Sequence, residues 1–378
     1  MMKRCASYTM RDVARLARVS VMTVSTIVNG RGGVSPELTR RVEDAIATLD
    51  YHPNEVARSL KANRTSTIGL VVPDVSNFFF NDVLRGVETK AREKGFSVVL
   101  GDSHEDPGQE RELLSMFARR RVDGILLAST QSNLGERRSA RRSPPIVCFD
   151  RDPAGFKFGA VVVDNVAAAF ESARHLIELG HQRIAVIAGP EDTLTGRARL
   201  EGVRKALQEA HIPWREEYVR PGGFSTLGGY HAALALLRFP TPPTAIIACD
   251  NRMTFGLLNA VKELGLQCPR DVSLLGFDEF DWYDLISPRL TTIAQPSYEM
   301  GRQATEMLMK AITGEDQLRE SDGGKCVVLK AHLRLRESTA PPTRVVSRAA
   351  RGASPAIGRA ARSSKSRLAT AATEKAVA

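Results

Sequence analysis

Residues 66–339 of this 378-residue chain alternate between strand and helix patterns, and this alternation constrains the fold more than any other feature. A buried-strand run at 67–72 is followed by a helix pattern at about 81–94, and the order then repeats. Such alternation predicts parallel sheets covered by helices, because a parallel connection needs a crossover segment. Further strands are predicted at 97–101, 124–128, 146–149, 161–163, 184–188, 245–248 and 272–275, and helices at about 108–120, 165–179, 196–210, 226–237, 252–264 and 297–313.

A pair of short helices is predicted before this region, within residues 9–29. Thr9 and Asp12 have the spacing of a capping box, so a helix is expected to begin at Met10. Ser20 is a suitable N-cap for the second helix. The apolar face of the first helix is predicted to consist of Val13, Leu16 and Ala17.

The second helix of this pair has one apolar face, with Val24 and Val28 pointing inward, and one face of short, mostly polar side chains. Such an outer face suits the major groove of DNA, where hydroxyl and amide groups hold phosphates and small apolar groups contact base edges. An ordinary helical hairpin would have the same pattern, so this motif alone leaves both interpretations open. The predicted contacts are Ser20, Thr23, Ser25 and Asn29 at phosphates and Val21, Met22 and Thr26 at bases.

Residues 54–61 read NEVARSLK, a helix pattern of barely two turns with almost no apolar face. A helix this short is marginal in water, so it needs a partner in order to form. With the preceding two-helix motif, the segment resembles the LacI/GalR family of bacterial transcription regulators. In that family a hinge helix folds on DNA and inserts a leucine into the minor groove, which implies this role for Leu60, flanked by Ala57 and Lys61. A plain linker with one exposed leucine is the alternative.

The resemblance covers about residues 8–339 and implies the fold class. It implies an α/β protein with an N-terminal all-α helix-turn-helix headpiece and a two-lobed, periplasmic-binding-protein-like core of doubly wound parallel sheets. The predicted domains are a headpiece at 1–53, a hinge helix and linker at 54–65, an effector-binding and dimerisation core at 66–339, and a tail at 340–378. The first lobe is expected at about 66–162 and 293–322 and the second at about 163–292 and 323–339, with crossings that include 163–165 and 290–293.

Positive charge is concentrated at the two ends of the chain. Residues 1–64 contain 11 Lys and Arg against 6 Asp and Glu, residues 340–378 contain 8 against 1, and residues 65–339 carry a net charge of −2. A basic headpiece on a near-neutral body is typical of a protein that binds DNA phosphates with one module. No basic amphipathic helix with large apolar side chains is evident, so a membrane surface is not indicated. The tail lacks periodicity and is expected to be disordered.

The cysteine pattern and the N-terminal segment indicate a compartment. The five cysteines are scattered and fit neither a disulfide framework nor a zinc site. No apolar run reaches about 18 residues, and the segment MMKRCASYTM lacks the apolar core of a secretory signal. We therefore expect a cytoplasmic, nucleoid-associated protein that uses no membrane, metal or cofactor.

A ligand site is expected where the strands of the two lobes end, because ligands of such sheets lie outside the carboxyl ends of the strands. Carboxylates, an arginine and flat rings at these ends suit a polyhydroxylated ligand such as a sugar, and a purine or nucleoside would use much the same set. Taken singly, Asp150 and Asp278 could be caps or turn residues, Arg199 could be a surface charge, and Trp282 could pack against the other lobe. The predicted effector contacts are Asn77, Phe79, Phe80, Asp150, Arg151, Arg199, Asn251, Asp278 and Trp282.

The resemblance supports part of this set. Family members carry an effector-contacting arginine where Arg199 stands in TGRARLEGV, and an aspartate where Asp278 stands in LLGFDEF. The stretch at 287–296, SPRLTTIAQP, is also close to the family pattern. Phe78 departs from it, because proline is common there.

These features predict a homodimeric transcription regulator, more specifically a repressor, that binds a near-palindromic operator in double-stranded DNA and a small-molecule effector. The direction in which the effector acts stays open. A sugar-binding receptor for transport is the main alternative, and a sugar-modifying enzyme is the next. The chain has none of the P-loop, HExxH or GxSxG motifs, which argues against the enzyme.

Overall fold

The computed structural model describes residues 8–29, 32–52, 64–130, 144–151, 159–315 and 326–343. The predicted contacts Ala57, Leu60 and Lys61, and the tail beyond residue 343, lie outside the described residues. Among the described residues, no helix is both long enough and apolar enough to cross a membrane.

Three helices form the N-terminal module: α1 (Met10–Ala17), α2 (Val21–Val28) and α3 (Pro36–Leu49). Both sides of the predicted capping box are formed at α1, and the Ser20 hydroxyl accepts a hydrogen bond from the Thr23 amide at 3.0 Å. The three helices bury a small core made of Val13, Ala14, Ala17, Val24, Val42, Ala45 and Tyr51.

The prediction that Leu16 faces this core was wrong. Its side chain is 49% exposed, whereas Ala14 is 5% exposed. The buried stripe of α1 runs through positions 13, 14 and 17, and one face of a helix is too narrow to include position 16 as well. The N-terminal module therefore packs with small side chains and leaves a leucine on its surface.

The remaining described residues form two six-stranded sheets with helices. The first sheet has the order β11-β5-β4-β3-β1-β2 and the second the order β12-β10-β9-β8-β6-β7. The strands are β1 (Thr67–Val72), β2 (Ser97–Asp102), β3 (Gly124–Leu127), β4 (Ile146–Phe149), β5 (Ala160–Val163), β6 (Ile184–Ala188), β7 (Val219–Pro221), β8 (Ala245–Ala248), β9 (Ser273–Phe277), β10 (Thr291–Ala294), β11 (Cys326–Leu329) and β12 (His332–Arg334). All pairings are parallel except that of β10 with β12.

Six of the seven helices described for the two lobes begin at a side chain that caps them, and Ser297–Thr313 is the exception. Asn77, Asp106, Asp164, Thr193, Ser225 and Asp250 each accept a hydrogen bond from a backbone amide in the first turn of the following helix. The helices are α4 (Phe78–Glu93), α5 (Pro107–Arg119), α6 (Asn165–Glu178), α7 (Leu194–Glu209), α8 (Thr226–Leu237), α9 (Asn251–Glu263) and α10 (Ser297–Thr313).

The observed strand pairing differs from the predicted lobe boundaries at two places. Strand β10 pairs with β9, so the second lobe extends to Ala294 rather than ending at 292. Strand β11 pairs with β5, with Val327 opposite Val161, so residues 326–329 belong to the first lobe although 323–339 had been assigned to the second. The chain therefore crosses between the lobes three times, after β5, after β10 and between β11 and β12.

The second lobe includes residues that had been assigned to the tail. The carbonyl of Ala340 accepts a hydrogen bond from a ring nitrogen of His181 at 2.9 Å, and the Ala340 amide donates to the Ser273 hydroxyl at 3.1 Å. Ser338, next to this contact, is fully buried. Packed structure therefore continues at least to residue 340.

Candidate functional site

The carboxyl ends of strands from both sheets meet at a cleft between the lobes. The cleft encloses a cavity of about 30 Å³, which is room for roughly two water molecules. Side chains from both lobes line it: Asn77, Phe79, Phe80, Asp150, Arg151, Thr195, Arg199, Phe224, Asp250, Asp278 and Gln295.

Arg199 lies in the first half of α7 and is only 4% exposed. Its Nε donates to Asn165 Oδ1 at 2.7 Å, and its Nη1 donates to the Cys249 carbonyl at 2.7 Å. Its guanidinium carbon lies 4.2 Å from the centre of the Phe277 ring. These contacts fix the plane of the guanidinium, which can then donate to a ligand in the cleft with little loss of side-chain freedom.

Asp278 is the centre of an amide–carboxylate network that joins the two lobes. It follows β9 in the left-handed conformation, with φ of 68°, and it is 4% exposed. Its two oxygens accept from Asn251 Nδ2 at 2.8 Å and from Gln295 Nε2 at 2.6 Å. Asn251 also donates to Asn77 Oδ1 of the first lobe at 2.7 Å. The network therefore links a carboxylate that lines the cleft to both lobes.

Asp150 and Arg151 extend into the cleft from the end of β4. Arg151 makes a bidentate pair with Glu105, with both N···O distances 2.8 Å. Its guanidinium carbon also lies 5.4 Å from the ring centre of Phe224, which belongs to the second lobe. Burial raises the pKa of Asp150, and this shift is opposed by the charges of Arg151 and Arg199.

Asp250 follows β8 and caps α9, where its Oδ1 accepts from the Met253 amide at 2.8 Å. It is 4% exposed. Burial and the charge of Asp278 raise the pKa of Asp250 to about 7, against the opposing effects of the Met253 amide and Arg199. The cleft therefore holds a carboxyl group that titrates near neutral pH.

Two further contacts join the lobes next to this network. Asp74, after β1, forms an ion pair with Arg252 at the start of α9. Phe78, at the start of α4, meets Phe280 edge to face with ring centres 5.8 Å apart. Phe78, which departs from the family pattern, thus makes a cross-lobe contact.

The structure brings most of the predicted effector residues together. Asn77, Phe79, Phe80, Asp150, Arg151, Arg199 and Asp278 line the cleft, and Asn251 bonds to two of them. Trp282 does not line it, because the short helix Asp281–Asp284 places its ring on the rings of Phe280 and Tyr283. In this structure it packs against rings of its own lobe, whereas its alternative interpretation was packing against the other lobe.

Four lining residues were missing from the predicted set. Thr195 and Asp250 follow strands β6 and β8, so the strand-end rule places both at the cleft, although the predicted set leaves them out. Phe224 and Gln295 follow β7 and β10, which had not been predicted as strands. Finding these two requires the sheet order, because neither stands next to a recognisable apolar run.

The predicted DNA-binding face of α2 is open to solvent. Val21 is 42% and Met22 80% exposed, whereas Val24 is fully buried. The Thr26 hydroxyl donates to the Met22 carbonyl at 3.0 Å, and Asn29 Nδ2 donates to the Ser25 carbonyl at 2.5 Å. Ser20 and Thr23 bond to each other at 2.8 Å. These bonds orient the short polar side chains along one side of the helix.

A three-helix module with an open second helix, followed by two sheets around a polar cleft, defines the class of ligand-responsive DNA-binding regulators. Residues 9–54 match the profile of bacterial regulatory proteins of the lacI family, and residues 173–339 match a periplasmic binding protein-like domain. The HTH-type transcriptional repressor CytR of Escherichia coli K12 is 35% identical over 317 residues, which cover 83% of this chain and 92% of CytR.

Two further similarities agree with this match. The ribose operon repressor of Escherichia coli K12 is 37% identical over 307 residues, covering 81% of this chain and 93% of that protein. The lac repressor dimer bound to operator and the anti-inducer ONPF superposes with a TM-score of 0.77 at 26% identity, covering 88% of this chain and 99% of that one. The chain belongs to the LacI family of bacterial transcription regulators, which confirms the resemblance, the fold class and the function as a DNA-binding, ligand-controlled regulator.

Proposed function

We propose that the protein is a homodimeric repressor that is released from its operator by a free pentose, ribose or a close relative, bound between the lobes. The observation that carries this proposal is the lining of the cleft, where buried carboxylate, amide and guanidinium groups from both lobes surround a small space together with three phenylalanines. The same proposal assigns residues 1–53 to DNA binding, 54–65 to the hinge, and the two lobes to effector binding and dimerisation.

The aromatic walls suit the faces of a sugar ring. Phe79 and Phe80 come from the first lobe with ring centres 5.1 Å apart, and Phe224 comes from the second. Apolar walls with a few polar groups in fixed positions are typical of small-ligand sites. The C–H groups of a sugar would lie against these rings while its hydroxyls reach the polar groups.

Two buried atoms of the cleft add to this argument. Arg151 Nε and Gln295 Oε1 have no hydrogen-bond partner among the described residues. A buried polar atom without a partner costs about 1–3 kcal/mol, so such atoms call for an explanation. One is a donor and the other an acceptor, and a sugar hydroxyl can serve either.

The size of the cleft favours a monosaccharide over a larger ligand. The space between the lobes is small, about 30 Å³, so the lobes must separate to admit a ligand, and a wider ligand requires a larger separation. A base or a second sugar ring would hold the lobes further apart, which would break the Asn77–Asn251 bond and the Asp74–Arg252 pair. A relative that is 37% identical carries the name ribose operon repressor.

The ligand-free dimer is the form that we propose to repress transcription. A repressor of a sugar operon has to leave the operator when the sugar is present, so we assign the ligand as an inducer. Two headpieces in a dimer would contact two half-sites of a near-palindrome. Such a regulator acts at the chromosome in the cytoplasm, and it returns its ligand unchanged rather than acting as an enzyme.

Calorimetry of the full chain with D-ribose, D-xylose, D-glucose, cellobiose and cytidine tests this proposal. We expect tight binding of D-ribose, weaker binding of the other monosaccharides and none of cellobiose or cytidine. NMR of the ribose after incubation should show no product. Preferred binding of cytidine or cellobiose, or conversion of the sugar, would contradict the proposal.

A further inference from the structure

The acidic groups of the cleft outnumber its basic groups. Asp150, Asp250 and Asp278 are each less than a tenth exposed and line the same small space. Arg151 and Arg199 are the two guanidinium groups that line it. Buried charges normally occur in balanced pairs, so an excess of buried carboxylates requires either a proton or a cation.

The two arginines do not neutralise this excess. Arg151 is already paired in bidentate form with a further acid, Glu105. Arg199 directs two of its nitrogens to Asn165 and the Cys249 carbonyl. Counting Glu105, four carboxylates therefore face two guanidinium groups.

Of the three aspartates that line the cleft, Asp250 has the weakest interactions to offset its negative charge. Asp150 lies 3.7 Å from Arg151 Nε, and Asp278 accepts hydrogen bonds from two side-chain amides. Among the described residues, Asp250 forms no ion pair with an arginine or lysine side chain, and its carboxylate interacts with the backbone amides of Met253 and Arg252.

The groups that face Asp250 come from several elements. Asp278 and Tyr283 approach from the segment after β9, Arg199 from α7, Arg151 from the end of β4, and Cys249 from its own strand. Tyr283 and Cys249 are uncharged near neutral pH because burial raises the pKa of both groups. Their presence therefore adds no positive charge next to Asp250.

We propose that the cleft binds its sugar together with one proton carried by Asp250, and that it excludes the phosphorylated form of the same sugar. This inference rests on the proposed function, because it concerns the same ligand and the same cleft. The protonated carboxyl donates a hydrogen bond to a ligand oxygen, and it removes one negative charge from the closed cleft. A phosphate group would meet three carboxylates there, and the pair with Glu105 already occupies two nitrogens of Arg151.

Selectivity for the unphosphorylated sugar means that the regulator responds to the substrate of a sugar kinase and not to its product. Its ligand is a sugar that enters the cell unphosphorylated or is released by hydrolysis. A kinase that phosphorylates the sugar would remove the signal. The effector and the product of that kinase are therefore distinguished by charge.

Ribose affinity measured by calorimetry on the full chain at pH 6, 7 and 8 tests the inference. Because the pKa of Asp250 is raised to about 7, the protonated form is the major one at pH 6 and the minor one at pH 8. We expect affinity to fall about tenfold from pH 6 to pH 8, as one linked proton requires. Repeating the titration in buffers of different ionisation enthalpy should show proton uptake near pH 7. Ribose 5-phosphate should not bind measurably.

Asp250→Asn supplies the decisive variant, because an amide mimics the protonated acid and asparagine also caps helices well. We expect its ribose affinity to vary less than about twofold between pH 6 and pH 8, with no proton uptake. Asp281→Asn removes an exposed carboxylate that does not line the cleft and should behave as wild type.

Two kinds of result overturn the inference. A wild-type affinity that is independent of pH, or a pH dependence that persists in Asp250→Asn, shows that Asp250 carries no linked proton. Binding of ribose 5-phosphate as tight as that of ribose removes the charge selectivity. If wild type binds none of the sugars, the proposed function itself fails, which is a different outcome from ribose binding without a linked proton.

Discussion

Arg199 is held by contacts of three kinds: a hydrogen bond to an amide, a hydrogen bond to a carbonyl and a stacked aromatic ring. A sequence pattern indicated that this arginine contacts a ligand, but the same pattern fits a surface charge on an amphipathic helix. Its burial at 4% exposure excludes the surface charge, and the ligand contact stays a prediction. A buried guanidinium held in one plane is suited to recognising a small polar ligand.

Arg199→Lys should lower sugar affinity about a hundredfold, because a lysine keeps the charge but loses the planar set of donors. Operator affinity without ligand should stay within about twofold of wild type, since the headpiece is unchanged. Arg197→Lys is the matched control, because that side chain is exposed and bonds to the Glu191 carbonyl. Calorimetry and fluorescence anisotropy measure the two affinities, and equal sugar affinity in both variants would contradict this role.

Asp250 should also affect folding stability. Its pKa is raised by folding to about 7, so the folded protein binds more protons than the unfolded chain between about pH 4 and pH 7. Stability from this group is therefore lost as pH rises through that window. Asp250→Asn should unfold at a higher temperature than wild type at pH 8, and the difference should shrink at pH 5. A thermal-unfolding series in which the gap is the same at both pH values would contradict this reasoning.

Among the elements, most strands with a continuous apolar run were predictable, whereas β7, β10, β11 and β12 were not. Strands β1, β6 and β8 are apolar runs buried on both faces, which the sequence shows directly. Strands β7, β11 and β12 have three or four residues each and are partly exposed. Strand β10 is buried but begins with two threonines. A half-exposed or polar strand has no continuous apolar run, and its identity depends on its neighbours in the sheet.

These limits of strand prediction also affected the predicted lining of the cleft. Phe224 and Gln295 could not be assigned to the cleft because the strands before them had not been recognised. Trp282 was assigned to it because it stands near a strand end, but the short helix Asp281–Asp284 turns its ring elsewhere. Spacing along the chain locates the end of a strand, whereas the direction of a side chain beyond that end depends on the loop.

Helix α2 provides a prediction at the scale of one element. Met22→Ala should weaken binding to the specific operator about tenfold, because the exposed methionine is the largest apolar group on the proposed DNA-binding side. Binding to random DNA should change little, since phosphate contacts dominate it. Thr48→Ala, an exposed and uncharged change on α3, is the control. Equal losses on specific and random DNA would mean that Met22 does not face bases. The proposed minor-groove role of Leu60 stays a prediction.

In the whole molecule, three crossings connect the two lobes, and side-chain contacts at the cleft draw them together. The Asn77–Asn251 bond, the Asp74–Arg252 pair and the Phe78–Phe280 contact all depend on the separation of the lobes. A ligand that binds between the lobes changes the free energy of that arrangement. Coupling between two such sites is typically about 1–3 kcal/mol, or roughly 5- to 150-fold in affinity.

The central claim is that a sugar bound between the lobes controls DNA binding by the headpiece. Fluorescence anisotropy of the full chain on an operator duplex, itself selected from a random library, measures this directly with and without saturating D-ribose. We predict that ribose weakens operator binding at least about fivefold in wild type and in Arg197→Lys, with a much smaller effect at the same ribose concentration in Arg199→Lys. Operator affinity that is unchanged by ribose in wild type, although calorimetry shows that ribose is bound, would contradict the account.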